Sequence, residues 1–208
     1  MTIVHFARHG ETVWHVENRY TGITDVALTA RGLEQANRLA RWATRQPIRR
    51  VMSSHLSRAV RTAEPSARAL GLPLERDARF GEANFGRAEG RTSAEIRAED
   101  SKGWADFVAS PALRPLGGGE SGSRVVTRMC LALGDVLAEG AETLVVAHST
   151  ALRETFCHLL GAPIDEYRRK FPSLGNCSIT SFELPNSART FDDLAATGVM
   201  IEFDRPTV

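Results

Sequence analysis

The chain has 208 residues, enough for one sizeable domain, 1–208. Hydrophobic residues make up 42% and charged residues 25% of it, which excludes a disordered chain or a minimal disulfide-stapled scaffold. The formal net charge of +1 gives no field to gather nucleic acid or anionic lipid, and no apolar run nears the roughly 20 residues of a membrane span.

In chain order, the apolar run Thr2 to Ala7 predicts a buried strand. Thr29 to Thr44 predicts a helix, with Leu33, Ala36, Leu39, Ala40 and Ala43 on one face. A short strand follows at Arg49 to Ser53, then a helix over His55 to Leu70 closed by Gly71 and Pro73. Leu74 to Asp77 reads as another strand. Phe80 to Arg91 is irregular and glycine-bearing, and short helices are expected within Ser93 to Val108. Gly117-Gly118-Gly119 reads as a hinge before the clearest helix, where Val125, Val126, Met129, Cys130, Leu133, Val136 and Leu137 recur at helical spacing. Thr143 to Ala147 is a continuous apolar strand, Ser149 to Leu160 a helix, and Cys177 to Leu184 a late strand. Edge strands are expected within Thr190 to Phe203. This alternation predicts an α/β three-layer sandwich with a mostly parallel sheet flanked by helices. The segment of about 78–119 breaks it and is expected as a small cap or insertion over the C-terminal ends of the strands.

Cys130, Cys157 and Cys177 are far apart and show no metal-ligand spacing, so they read as buried small hydrophobes in a reducing compartment. With no signal-peptide pattern at the N-terminus, a cytoplasmic protein is expected.

The chemistry gathers at strand ends. Arg8-His9-Gly10-Glu11-Thr12 follows the first strand and aims a guanidinium and an imidazole into the crevice where open α/β sheets bind ligands. An imidazole serves as nucleophile or base near neutral pH, and the guanidinium fork suits phosphate oxygens. His148 ends a second apolar strand, with Ser149 opening a helix whose N-terminus offers backbone N–H groups to an anion. Arg58 falls in the first turn of its helix, where a cation opposes the helix dipole unless an anion is bound. Glu82 lies in an irregular, partly apolar loop, a setting that can raise a carboxyl pKa for general acid work.

These residues, with Tyr20-Thr21-Gly22, Leu28-Thr29-Ala30-Arg31-Gly32, Ser53-Ser54, Thr62-Ala63, Phe85-Gly86, Glu89-Gly90 and Gly118-Gly119-Glu120-Ser121, resemble in order and spacing the histidine phosphatase superfamily, phosphoglycerate-mutase-like branch. The resemblance covers at least Thr2 to Phe182. It implies a metal-independent phosphomonoester hydrolase, without cofactor, acting on a small phosphorylated metabolite. His9 would take the phosphoryl group as phosphohistidine. Arg8, Arg58 and His148 would hold its oxygens, and Glu82 would protonate the leaving oxygen and then activate water.

The chain also departs from that pattern. His15 stands where many members have an asparagine, and Ser149 where a glycine commonly follows the second histidine. Both are candidate substrate-binding residues, together with Thr21 and Gly22. Glycolytic mutases of the family carry a lysine and adjacent arginines for the substrate's second anionic group. Here Ser93 stands at the lysine position and no Arg-Arg pair lies between Glu82 and Gly117. A phosphatase is therefore favoured over a phosphomutase, and a catalytically inactive phospholigand-binding module is the third reading. A homodimer is the default expectation for assembly.

Overall fold

The computed structural model describes residues 1–207. Six strands, β1 (Thr2–Arg8), β2 (Arg50–Ser53), β3 (Leu74–Arg76), β4 (Thr143–Ala147), β5 (Ile179–Leu184) and β6 (Val199–Arg205), form one sheet in the order β3-β2-β4-β1-β5-β6. The pairs β3–β2, β2–β4 and β4–β1 are parallel, while β5 and β6 add antiparallel at one edge. Because β4 returns between β2 and β1, three parallel strands end side by side. Arg8 pairs with Ala147 and Ser53 with Val146, so the residues just after them, His9, Ser54 and His148, emerge at one level.

The helices are α1 (Ala30–Ala43), α2 (Ser57–Leu70), α3 (Ser93–Glu99), α4 (Ser101–Ala109), α5 (Gly122–Glu139), α6 (Ser149–Leu159), α7 (Tyr167–Lys170) and α8 (Phe191–Leu194). Strand alternation divides the core between the two faces of the sheet. Ala7, Val51, Leu144 and Val146 meet Leu39 and Trp42 of α1 and Ala59 and Ala63 of α2. Phe6, Met52, Val145 and Ala147 meet Met129 and Leu133 of α5 and Leu152 and Phe156 of α6. Each fully buried side chain of this size contributes about 1.5–3 kcal/mol relative to exposure. The predicted three-layer arrangement is thus what the chain adopts.

Local signals explain the boundaries. The Thr29 hydroxyl accepts from the Gly32 N–H at 3.0 Å and starts α1. Gly71, at φ 68°, closes α2 in the left-handed region. The helix expected from His55 begins at Ser57, where Asp25, distant in sequence, accepts from the Ser57 N–H at 2.9 Å. The late strand begins at Ile179 because Cys177 sits at φ 56°. The tail expected as edge strands holds one strand, β6, preceded by α8, which Thr190 caps. α7 was not foreseen; four residues are too few to show a periodicity.

Segment 78–119 contains α3 and α4 and is tied to the body at both ends. The Gly90 N–H donates to the Tyr20 carbonyl at 2.9 Å and the Glu120 N–H to the Asn84 carbonyl at 2.7 Å. Cys130, Cys157 and Cys177 are free and buried, and burial pushes their thiols up to about 12, 11 and 12. Among the described residues, no helix is long and apolar enough to cross a membrane.

Candidate active site

His9 leaves β1 with its N–H bound to the Ala147 carbonyl at 3.0 Å, which continues the β1–β4 ladder by one residue. Its Nδ1 lies 2.7 Å from the Gly10 carbonyl. A carbonyl only accepts, so Nδ1 carries the proton and Nε2 carries the lone pair. Burial first, then the Arg58 and Arg8 guanidinium groups, hold this imidazole well below its ordinary pKa. His9 is therefore a neutral ring with a fixed tautomer at neutral pH, the state a nucleophile requires.

Gly10 is needed for close backbone packing. A Cβ there would stand 2.6 Å from the Gly32 carbonyl oxygen, and one at Gly32 2.1 Å from the Glu11 oxygen. The two glycines let the start of α1 lie against the turn that carries His9.

Two arginines flank the ring. Arg8 donates through Nη1 to the Leu174 carbonyl at 2.7 Å and through Nη2 to His15 Nε2 at 2.6 Å. Burial brings its pKa down to about 10. Arg58 is wholly buried and donates to the carbonyls of Thr24 at 2.9 Å and Gly22 at 2.6 Å. Those carbonyls are held in turn by Glu89. Its carboxylate accepts from the N–H groups of Gly22, Ile23, Thr24 and Phe85 at 3.0, 3.1, 3.3 and 3.1 Å, and from the Thr24 hydroxyl at 2.8 Å. Gly22 is thus part of the cradle of Arg58, and a Cβ on it would meet Glu89 Oε1 at 2.1 Å.

His148 is also wholly buried, with its ring centroid 5.1 Å from that of His9. Burial and Arg58 keep it well below the ordinary imidazole pKa. Both its ring nitrogens, with Arg8 Nε and Arg58 Nε, are buried without a protein hydrogen-bond partner among the described residues. Such polar atoms cost free energy unless paired. Their concentration around His9 suits an anionic partner.

Glu82 departs from expectation. Its carboxylate accepts from the N–H groups of Ala83 at 2.9 Å, Thr150 at 3.0 Å and Ala151 at 2.8 Å. It caps the start of α6 instead of standing in an apolar niche, and two of the helix N–H groups expected to face an anion, those of Thr150 and Ala151, are taken by Glu82. Oε2 accepts only one of these bonds, which leaves it acceptor capacity at the cleft.

His15 is held by protein partners as well as facing the cleft. Its Nε2 accepts from Arg8, and its Nδ1 lies 3.0 Å from the Thr12 N–H and 2.8 Å from the Thr12 hydroxyl. Both nitrogens are engaged with protein, so the ring positions Arg8. Burial and the Arg8 charge bring its pKa down to about 4, which keeps it neutral and able to accept.

Arg8, His9, His15, Thr21, Glu82 and Ser149 line one cleft of about 360 Å³, while Arg58, His148 and Gly22 are buried and not part of its lining. The cleft wall also holds residues for which the sequence implied no site role. Tyr20, Phe85 and Trp104 supply aromatic surface, and Arg153 and Arg168 supply charge. Arg153 lies four positions after Ser149, one turn along α6, which is a signal the sequence does carry. Arg168 enters from α7, which the sequence did not reveal. Asn176 donates to the His9 carbonyl at 2.8 Å and braces the turn from the β5 side. Among the described residues, no three His, Cys, Asp or Glu side chains come together as ligands for a metal ion.

The comparisons with known proteins agree with this architecture. The chain is 35% identical to the probable phosphoglycerate mutase GpmB of Salmonella choleraesuis over 190 residues, 90% of this chain and 87% of that protein. Among solved structures it is similar to Bacillus stearothermophilus YhfR, with 28% identity, a TM-score of 0.86 and coverage of 99% of this chain and 98% of that one. It is also similar to the phosphoserine phosphatase of Entamoeba histolytica in complex with 3-phosphoglyceric acid, with 27% identity, a TM-score of 0.81 and coverage of 98% and 96%. The family model for the histidine phosphatase superfamily (branch 1) matches residues 4–197, and with the paired histidines at adjacent strand ends this places the chain in that superfamily.

Proposed function

We propose that the protein is a phosphomonoester hydrolase that works through a phosphohistidine at His9. The observation that carries this reading is the His9 Nδ1 bond to the Gly10 carbonyl, which leaves a neutral Nε2 lone pair beside buried, unpartnered donors on Arg8, Arg58 and His148. In the first step Nε2 attacks phosphorus and the P–O bond to the leaving group breaks. The leaving oxygen takes a proton from Glu82, while Arg8, Arg58 and His148 neutralise the charge on the equatorial oxygens. In the second step water attacks the phosphohistidine and gives a proton to Glu82. The P–N bond breaks, and inorganic phosphate and the starting imidazole are restored. All the protein groups needed are side chains of this chain, so we propose that the reaction requires no metal and no cofactor.

The substrate is a small phosphorylated metabolite, which a cleft of about 360 Å³ can hold. The test is hydrolysis of 4-nitrophenyl phosphate and a panel of phosphomonoesters in chelator, with His9→Ala as control. Turnover by the parent protein and its loss in the variant support the reading; no turnover of any ester refutes it. A phosphomutase is the second reading, favoured by the 35% identity to a probable phosphoglycerate mutase. Conversion of 3-phosphoglycerate to 2-phosphoglycerate faster than release of inorganic phosphate would select it.

A further inference from the structure

The cleft carries more positive charge than a phosphoryl group at His9 uses. Its lining includes Arg8, Arg19, Arg153 and Arg168, with Glu82 the one carboxylate among them. Arg19 is balanced by Glu17 at 2.5 Å and Glu95 at 3.2 Å. Arg8 belongs to the His9 centre. Arg153 and Arg168 remain, and among the described residues neither forms a salt bridge, whereas most other arginines of the cap and its surroundings do.

Both are held in place. Arg153 donates through Nε to the Ser149 carbonyl at 3.1 Å and through Nη1 to the carbonyls of Phe171 at 3.1 Å and Pro172 at 3.3 Å, and its Cζ lies 4.9 Å from the Tyr167 ring centroid. Its Nη2 makes no hydrogen bond of this kind. Arg168 Cζ lies 5.0 Å from the Phe107 ring centroid, and its charge and its hydrogen bond to the Tyr20 hydroxyl act against the burial that pushes that phenol up. Burial lowers the Arg153 pKa, and Arg168 is among the charges that lower it further. Two cations that disfavour each other thus share with Tyr20 and Trp104 the lining of the cleft that also holds His9.

Resting on the phosphomonoester reading, we propose that Arg153 and Arg168 select substrates carrying a second anionic group, a carboxylate or another phosphoryl group, on the part of the molecule that does not react. The two guanidinium forks would meet it as charge-assisted hydrogen-bond donors.

The test measures binding, separately from hydrolysis. In His9→Ala protein, calorimetry compares 3-phosphoglycerate with glycerol 3-phosphate, a pair that differs in a carboxylate. It also compares 1,3-propanediol bisphosphate with its monophosphate. We expect at least one doubly anionic ligand to bind about tenfold more tightly than its partner, as a charge-assisted contact implies. The ratio should fall towards one in the added Arg168→Gln background and stay intermediate in Arg168→Lys. Arg168 is exposed, so its replacement leaves the core intact, and thermal melting verifies this. A gain confined to one pair identifies the anion. Equal binding within both pairs, or a ratio unchanged by Arg168→Gln, overturns the inference even if 4-nitrophenyl phosphate is hydrolysed. Failure of the parent protein to hydrolyse any ester would refute the phosphatase reading and leave the binding ratio to judge the subsite.

Discussion

Replacing Glu89 by Gln tests the support beneath Arg58. The carboxylate takes five hydrogen bonds: Oε2 serves the Gly22 and Thr24 N–H groups and the Thr24 hydroxyl, and Oε1 the Ile23 and Phe85 N–H groups. An amide keeps one acceptor oxygen. Set toward the three donors, it turns its NH₂ on the Ile23 and Phe85 N–H groups and leaves both without an acceptor. Leaving two donors unsatisfied at a half-buried site costs about 2–4 kcal/mol, at about 1–2 kcal/mol for each group. With an unfolding entropy of ~2.1 cal/mol/K per residue over 208 residues, Tm should fall by roughly 5–9 °C. The Gly22 and Thr24 carbonyls that hold Arg58 move with this loop, so kcat/KM should fall 10- to 100-fold, the order expected when a catalytic group is misplaced by about 1 Å. Differential scanning calorimetry and hydrolysis of 4-nitrophenyl phosphate read the two effects. A variant that melts within about 1 °C of the parent and keeps its kcat/KM would refute the view that Glu89 braces Arg58.

Three further outcomes are expected. His9→Ala should lose at least about 10³-fold in kcat and give no phosphoramidate signal in phosphorus NMR of the acid-sensitive intermediate; retention of that signal would place the nucleophile elsewhere. Glu82→Gln should slow an alkyl phosphate much more than 4-nitrophenyl phosphate, whose acidic phenol leaves without a proton, so equal losses on both would remove Glu82 from proton transfer. His9, His148 and His15 all have pKa values lowered on folding, to about 4 for His15. As pH falls below about 6.5 the unfolded chain binds their protons first, so stability drops progressively between about 6.5 and about 4. His15→Asn should flatten part of that decline in Tm, and a slope identical to the parent's would show that His15 is not protonated on unfolding.

Much of this protein was legible in one dimension, and the physical reasons are local. Apolar runs at Thr2 and Thr143 specify strands buried on both faces. The helical spacing from Val125 to Leu137 specifies α5, and Gly71 ends α2 because it tolerates φ 68°. The motif around His9 and the strand-end position of His148 pointed to the centre because a parallel sheet brings its carboxyl ends to one side. Other assignments depended on contacts between distant segments. Glu82 was expected in an apolar niche, but its distance from Thr150 and Ala151 is set only when the cap folds over α6. His15 lines the cleft as a candidate substrate residue, but only the fold shows that Arg8 and Thr12 already engage both its nitrogens. Glu89 was a motif residue without a task, and the loop of Gly22, Ile23 and Thr24 gave it one. Arg153 and Arg168 are ordinary arginines in sequence, and only the approach of α6 and α7 to the cap brings their charges into the cleft. The sequence by itself determined the main strands and helices and the strand-end places of His9 and His148, since these follow from hydrophobic period. Tertiary structure alone decided which polar atoms are already satisfied and which still await a partner, because hydrogen bonds join residues whose separation along the chain carries no information about their distance in space.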